Sequence, residues 1–559
     1  MSTMALAQPA PRLPAVPQGS PIDRVLPPKP PAVSSGMDTA PSRPASLADA
    51  KATVTINSVS LEGTTLFGAD EFRTSLALLH GPVKVSLVDD VRRGIVDRYR
   101  ADGYVLTAVN ATLDPQGRLR FVVTEGRIAE VKLDGDIGPA GTQVLRFLNR
   151  LTETAPIDAK TLERYLLLAQ DIPGVTVRAV LRPSTVEPGA LTLIAQVQRR
   201  ALSGLLTADN RGAPFTGPDT ALALLSVNSL TEYGEKTELS LFRSLNNTQV
   251  FGQVSTEAFI GSSGLKVRLY AGSGTADPSG QLRATGYHGV TTVGGVSVSY
   301  PLIRTRQQTL NLGGYFDLLE SHIDTGISPA QQASRDNIRA LRLGADYASQ
   351  DNWLGDTRTG VNSVSLRVSR GVPFLGASPA FYPKAGRNGQ RVDFTRGNAE
   401  ATRTQTLFQV GDASSIALQV TVAGQLSEDI LPSSEKFFLG GARWNRGYYS
   451  GEVSGDSGLT TAVELQFNTS FSTEVFAHAL DIDTQLYAFT DWGQSWESQK
   501  TDSNRRLMSL GLGTRLSVSR DTDINLEGAE RLVRRPAGAA STTTALSAQT
   551  VYWRVLTRF

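Results

Sequence analysis

From about residue 200 to residue 559 the chain alternates apolar and polar residues, strand after strand, to its last residue. Leu510, Leu512, Leu516 and Val518 share one face, while Ser509, Gly511, Gly513, Arg515, Ser517 and Ser519 share the other. Side chains on a strand point to opposite sides in turn, so each such stretch has a dry face and a wet face. Ile416, Leu418, Val420 and Val422 repeat the pattern against Ala417, Gln419, Thr421 and Ala423. Alternation admits two architectures. A soluble sandwich turns its apolar faces inward, and a membrane barrel turns them outward.

The chain has no run of about 18 apolar residues, so a transmembrane helix is not available. A membrane role must then come from a barrel. Only 19% of the residues are charged and 52 are glycine, a balance that fits apolar residues diluted at alternate positions. With no cysteine, disulfides and thiolate metal sites are excluded. The 55 basic and 53 acidic residues leave no nucleic-acid footprint.

In order along the chain, residues 1–52 read as a proline-rich linker carrying Pro27-Pro28-Lys29-Pro30-Pro31. Disorder is expected there, or an extended segment threaded through something larger; no helical pattern suggests a plug helix. Ala5-Leu6-Ala7 looks like the end of a secretory signal peptide whose charged and apolar parts are missing. Residues 53–126 read as a small α+β unit. It has a strand from Val54 to Leu61, helices over 69–79 and 87–99, and a hairpin of 107–113 and 118–124 around Asp114-Pro-Gln-Gly117. Residues 127–199 repeat the order βααββ. Here a strand covers 128–133, and a helix over 143–151 turns Val144, Leu145, Leu148 and Leu151 inward. A second helix is capped by Asp158, and strands at 175–181 and 191–197 close the unit. In residues 200–559 alternating strands fall at 201–210, 219–230, 236–244, 248–260, 265–274, 289–303, 308–322, 337–350, 358–371, 401–413, 415–427, 459–471, 482–494, 506–519, 522–534 and 551–559. About sixteen antiparallel strands, with short turns at one end and long loops (323–336, 372–400, 428–458) at the other, favour a transmembrane β-barrel over a sandwich.

Two α+β modules followed by a barrel resemble the two-partner secretion transporters (TpsB; the ShlB/FhaC/HecB family) of the POTRA-bearing outer-membrane translocator superfamily. Four stretches carry the resemblance. Leu162-Glu-Arg-Tyr-Leu-Leu-Leu-Ala-Gln-Asp-Ile-Pro-Gly174 resembles the second POTRA signature, with Leu162, Asp171, Pro173 and Gly174 at its key positions. Glu125-Gly126-Arg-Ile is similar to the junction between modules. Leu439-Gly-Gly-Ala-Arg-Trp-Asn-Arg-Gly-Tyr-Tyr449 resembles the sixth-loop motif, represented by Asn445, Arg446, Gly447 and Tyr448, with Asn445 in place of the usual aliphatic residue. Phe489-Thr-Asp-Trp-Gly493 resembles the barrel-wall motif of Phe489, Asp491 and Gly493.

The resemblance implies a cell outer-membrane barrel in a Gram-negative bacterium, preceded by two periplasmic α+β POTRA domains. It would secrete a large partner exoprotein such as a haemolysin or adhesin, with no cofactor. The unfolded client would dock on POTRA edges by strand addition and pass through the barrel. Arg446 is placed on a long loop folded back into the lumen. Strand phase gives independent support, because Asp483, Gln485, Tyr487, Phe489, Asp491 and Gly493 share the polar face of their strand. Asp491 should therefore point inward, where it can pair with the guanidinium in bidentate fashion. Gly447 would let the tip turn, and Tyr448 would pack on the wall. The last strand, with Val551, Trp553, Val555 and Phe559 on one face and polar Thr557 among them, resembles the signal read by the barrel-assembly machinery. Outer-membrane lipid would surround the barrel.

No catalytic pattern competes with this reading. The four histidines show no metal spacing, and neither a G-x-S-x-G elbow nor a P-loop occurs. Two other readings stay open. A BamA- or TamA-like insertase shares the superfamily motifs but has more modules, and residues 1–50 leave no room for a third. A passive porin leaves the two modules without a purpose.

Overall fold

The computed structural model describes residues 20–27, 31–33, 52–184, 187, 189–326, 331–411, 413–475, 478–519, 521–536 and 545–559. The Ala5-Leu6-Ala7 stretch lies outside them.

Among the described residues, sixteen antiparallel strands close into one barrel, each hydrogen-bonded to the next in sequence. The last, Gln549–Arg558, returns to the first, Leu202–Asp209, with pairs from Arg554↔Asp209 to Arg558↔Leu205. Leu343 and Leu512 stay 72% and 68% exposed on the outer face, while Glu464 and Asp491, two strand residues of the opposite phase, are 2% and 0% exposed. The oily faces thus look out and the charges are enclosed. That arrangement suits a barrel in lipid and excludes a sandwich.

Most strand limits match the alternation pattern within a few residues. Two differ for a physical reason. The loop expected at 323–336 is mostly strand, since Gln308–Thr325 and Gln331–Asp351 pair almost to their shared end. This raised hairpin is flanked by residues 372–394. Arg335 N donates to Lys384 O at 2.7 Å and Ser378 N to Asn337 O at 2.9 Å, which gives the free edge its partners. The strand expected from 401 begins at Thr395, because Arg396 and Asn398 face the lumen and break no hydrogen bond by being polar.

Two α+β units precede the barrel. In the first, the strand expected over 54–61 is two strands, Thr53–Ile56 and Ser58–Glu62. Asn57 separates them, donating its backbone N–H to Gly117 O and its side-chain amide to Gln116 O, both at 2.8 Å. Thr53–Ile56 pairs instead with Gly81–Lys84, a four-residue strand hidden from sequence by its length and its proline. Ser58–Glu62 runs parallel to Arg118–Thr124, which also pairs with Ala108–Leu113. Val91, Ile95 and Tyr99 of the helix Val85–Ala101 pack with Ile56, Phe72 and Phe121 as one core. The second unit has the sheet order Arg127–Asp134, Ala190–Arg199, Val175–Pro183. Its helix Ala159–Gln170 starts at Asp158, whose carboxylate accepts from Thr161 N at 2.9 Å. On Ala140–Leu148 the inward residues are Val144, Phe147 and Leu148, whereas Leu145 is only half-buried. Phe147 takes the place expected of Leu145 because it shares the face of Val144 and Leu148, and its ring also meets barrel residue Phe259 edge-to-face at 5.2 Å.

Part of the proline-rich segment lies inside the barrel. Ile22–Val25 makes one helical turn, and Ile22 and Val25 pack on Leu222, Leu224, Phe242, Phe251 and Val293 of the wall. Farther on, Ala32 O accepts from Thr309 Oγ1 at 3.3 Å.

Candidate functional site

The loop joining strand Ser414–Leu426 to strand Ser457–Val475 enters the lumen. Two short strands, Phe437–Leu439 and Val453–Gly455, pair to form its neck. Gly440 follows at φ +99°, where a side chain would collide with Tyr449 O. At the tip Asn445 adopts φ +54°, and its carbonyl accepts from Tyr448 N at 3.0 Å. Asparagine tolerates the left-handed region far better than a branched aliphatic does, which accounts for its presence here. Its Oδ1 accepts from Thr460 Oγ1 at 3.1 Å. Gly493 makes room for that amide, since a Cβ there would collide with Asn445 Oδ1.

Asp491 points into the lumen, and Arg446 meets it there. The guanidinium donates from Nε to Oδ2 at 3.0 Å and from Nη2 to Oδ1 at 2.9 Å, and the Arg446 backbone N–H adds a third bond to Oδ2 at 2.8 Å. Nη1 bonds Glu464. The Arg446 and Asp491 side chains are 6% and 0% exposed, so water does not compete for this fork. Phe489 supplies the floor, its ring centroid 3.9 Å from the guanidinium carbon. Gly447 N donates to Ser509 Oγ at 3.2 Å, and a Cβ on Gly447 would stand 2.5 Å from Ser509 Cβ. Tyr448, fully buried, places its hydroxyl 2.8 Å from both Met508 O and Val533 O.

Further residues complete the cluster, and sequence reasoning passed over them. Glu464 also takes two bonds from Arg515, at 2.6 and 3.0 Å. Arg211 bonds Glu527 and donates to Arg446 O at 2.8 Å. Arg531 donates to Gly447 O at 2.6 Å and to the Tyr552 hydroxyl at 3.0 Å. Arginines 211, 446 and 515 thus face carboxylates 464, 491 and 527 in one network, and Arg531 holds the loop backbone beside them. Their shared signal was inward phase: Glu464, Arg515, Glu527, Arg531 and Tyr552 each stand on the lumen side of an alternating strand.

The other two residue sets lie apart from this cluster. Leu162 belongs to the core of the second α+β unit, whereas Asp171, Pro173 and Gly174 touch the barrel. Asp171 accepts two bonds from Arg304, Pro173 O accepts from Ser229 Oγ at 2.6 Å, and Gly174 O accepts from Arg200 N at 2.7 Å. Gln143 and Arg146 reach the barrel turns at Gly261 and Glu232. At the far end of the chain, Val555 and Phe559 are exposed on the outer face, with Trp553 half-exposed beside them. Phe559 and Gly204 exchange backbone bonds at 3.1 and 2.9 Å across the closing seam. The hydroxyl of Thr557 finds Thr522 Oγ1 at 3.1 Å, so its polarity is satisfied.

Two cavities of about 900 and 1040 Å³ open within the barrel. Ala442 and Arg443 of the loop line both.

The family model described as haemolysin secretion/activation protein ShlB/FhaC/HecB matches residues 191–516. The heme/hemopexin transporter protein HuxB of Haemophilus influenzae is 22% identical over 462 residues, covering 80% of this chain and 78% of that protein. Among solved structures, CdiB from Escherichia coli superposes with a TM-score of 0.71 at 18% identity, covering 94% of this chain and 95% of that one. CdiB from Acinetobacter baumannii gives 0.61 at 16% identity, covering 94% of each. BamA from Haemophilus ducreyi lacking POTRA domains 1–3 gives 0.51 at 12% identity, covering 90% of this chain and all of that one. At these identities the structures speak for the fold alone.

Proposed function

Because the chain belongs to the ShlB/FhaC/HecB family of haemolysin secretion/activation proteins, it is a two-partner secretion transporter of the outer membrane, and we propose a route for its exoprotein. Residues 53–126 and 127–199 are two periplasmic POTRA domains, and the unfolded client adds a strand to one of their exposed sheet edges. The client then passes through the barrel, past the sixth loop. That loop is held by Arg446 on Asp491 and must stay or shift as the chain goes by. The outward apolar band sits in lipid, and the terminal strand with Trp553, Val555 and Phe559 is read by the barrel-assembly machinery. No nucleotide is needed if folding of the client outside the cell draws it through.

The observation that carries this reading is the enclosed fork between Arg446 and Asp491, which fixes the loop tip inside the barrel. Arg446→Ala is the test. Export of the exoprotein should be lost while the barrel still inserts and stays heat-modifiable on a gel. Unchanged export would sink the clamp. Removing residues 53–199 should likewise leave an inserted barrel that secretes nothing.

A further inference from the structure

The sixth loop is held at a second place, far along the loop from its tip. Glu435 ends a single turn, Ser433–Glu435, at the loop's entry into the lumen. Its side chain is 4% exposed. Arg342 grips both carboxylate oxygens, at 3.0 and 2.9 Å, and Arg396 reaches Oε2 at 2.7 Å. Arg396 and Gln425 also donate to the Glu435 carbonyl, at 2.9 and 3.0 Å. Arg342 and Arg396 stand on strands Gln331–Asp351 and Thr395–Val410, whereas the tip is held by Ser457–Val475 and His478–Trp496. Lys436 to Asn445 therefore runs from one part of the wall to another. The span is stiffened by Trp444, which stacks on Phe437 at 5.8 Å and donates to Phe438 O at 3.1 Å. It is pinned midway by Arg443 on Glu400. Ala442 and Arg443 line both lumen cavities, as does Pro27 of the N-terminal segment, so this span stands between the two.

We propose that Glu435 is a positioning residue that holds the sixth loop across the lumen as a clasp separate from Arg446, and that its release joins the two compartments into one channel. The proposal rests on the reading of the sixth loop given above. The carboxylate sits between two guanidiniums, of which only Arg342 has a second carboxylate, Asp317 at 2.6 Å. Without it Arg342 and Arg396 repel each other, and the stem keeps only the backbone bonds at the Glu435 carbonyl and the bond from Lys436 to Glu497 at 2.6 Å. With the tip still clamped, the stem is the part of the loop that can swing.

The experiment is single-channel recording of the full chain in planar bilayers, with Glu435→Gln, Glu435→Asp and Arg446→Ala beside the wild type. Glu435→Gln should raise the resting conductance several-fold, and Glu435→Asp should return it most of the way, since a shorter carboxylate still attracts both arginines. A merely structural lesion would lower the yield of inserted barrel without changing the conductance of the channels that do insert. Equal conductance in Glu435→Gln and wild type overturns the proposal. If Arg446→Ala alters conductance or export while Glu435→Gln does neither, the clasp at Glu435 falls and the tip clamp stands. If Arg446→Ala leaves both unchanged, the loop reading falls with it. Should Glu435→Gln fail to insert, Arg342→Gln, which leaves Arg396 on the carboxylate, must give a smaller rise of the same sign, and no rise overturns the proposal.

Discussion

Asp171 receives two hydrogen bonds from Arg304, from Nε at 2.8 Å and from Nη2 at 2.7 Å. Asp171 closes the last helix before the barrel and Arg304 ends a barrel strand, so this fork joins the second α+β unit to the wall. Arg304 is 10% exposed and Asp171 31%, which places the pair between a surface bridge and a sheltered one. Arg304→Ala should cost about 1 kcal/mol of docking. Faster proteolysis near residue 200 and reduced export should follow, with the barrel intact. The swap Asp171→Arg with Arg304→Asp should restore protection; a swap as labile as the single change would show that the contact carries no coupling.

Arg446→Ala leaves Asp491 and Glu464 buried with one cation fewer. Breaking a sheltered pair in this way costs about 3–5 kcal/mol. Denaturant unfolding of the detergent-solubilised barrel should show it as a lower midpoint. Arg446→Lys keeps the charge but not the planar fork, so it should fall between wild type and alanine in both stability and export.

Leu512 is 68% exposed in the middle of strand Arg505–Val518, and its neighbour in phase, Leu510, is 44% exposed. An arginine placed there must sit in hydrocarbon. Leu512→Arg should cost about 2–4 kcal/mol near the bilayer midplane and lower the yield of inserted barrel. Thr514→Arg, one phase-matched position nearer the strand end, should cost less. Equal costs at the two positions would argue against a graded, lipid-facing surface.

Sequence alternation carried the barrel because period 2 is a direct imprint of a wall with two different solvents. It also placed Asp491 inward, while the placing of Arg446 in the lumen came from the resemblance of its loop motif. What stayed hidden has physical causes. Gly81–Lys84 is too short to show a period. The inward strand ends at Arg396 and Asn398 are polar at every lumen position, so they read as loop. Glu435 lies in a loop, where no periodicity says which way a side chain turns. The contact of Asp171 with Arg304 joins residues 133 apart in sequence, and the turn motif that contains Asp171 reads locally as a helix stop. Phe147 stands three residues from Val144 and beside Leu148, on the buried face of its helix, but part of its packing comes from Phe259 of the barrel, far away in sequence.

Glu125 makes the first unit sensitive to acid. Burial pushes its carboxyl up. That push is outweighed by bonds from Thr65, from Leu66 N at 3.2 Å and from the Tyr99 hydroxyl at 2.7 Å, so the pKa is lowered overall. A carboxyl depressed in the folded state stabilises it fully above the unfolded pKa of about 4.3, and that stabilisation is lost as pH falls through the lower folded value. Hydrogen exchange of residues 61–67 in the full chain, compared at equal intrinsic rate, should therefore rise as pH drops below about 4. Glu125→Gln should exchange faster at neutral pH and lose the acid dependence. A variant that kept the wild-type profile would point to another group.

Gly493 and Asn445 are fitted to each other: a Cβ on the glycine would collide with the amide oxygen of the loop tip. Both residues are buried, so their effect must pass through the tip's position. Gly493→Ala adds one methyl group to the wall with ordinary strand geometry and no positive φ to violate. The barrel should therefore insert normally. The tip cannot keep its place, because Asn445 is also held by Thr460 at 3.1 Å and turns at φ +54°. Moving it stretches the bond from Arg446 N to Asp491, now 2.8 Å. Gly493→Ala should accordingly share the export defect of Arg446→Ala with a smaller loss of stability, of about 1–3 kcal/mol for overpacking. Adding Asn445→Gly shortens the offending side chain and keeps the left-handed turn, so the double variant should recover export. If the double variant secretes no better than Gly493→Ala alone, the wall glycine serves something other than the fit of the loop tip.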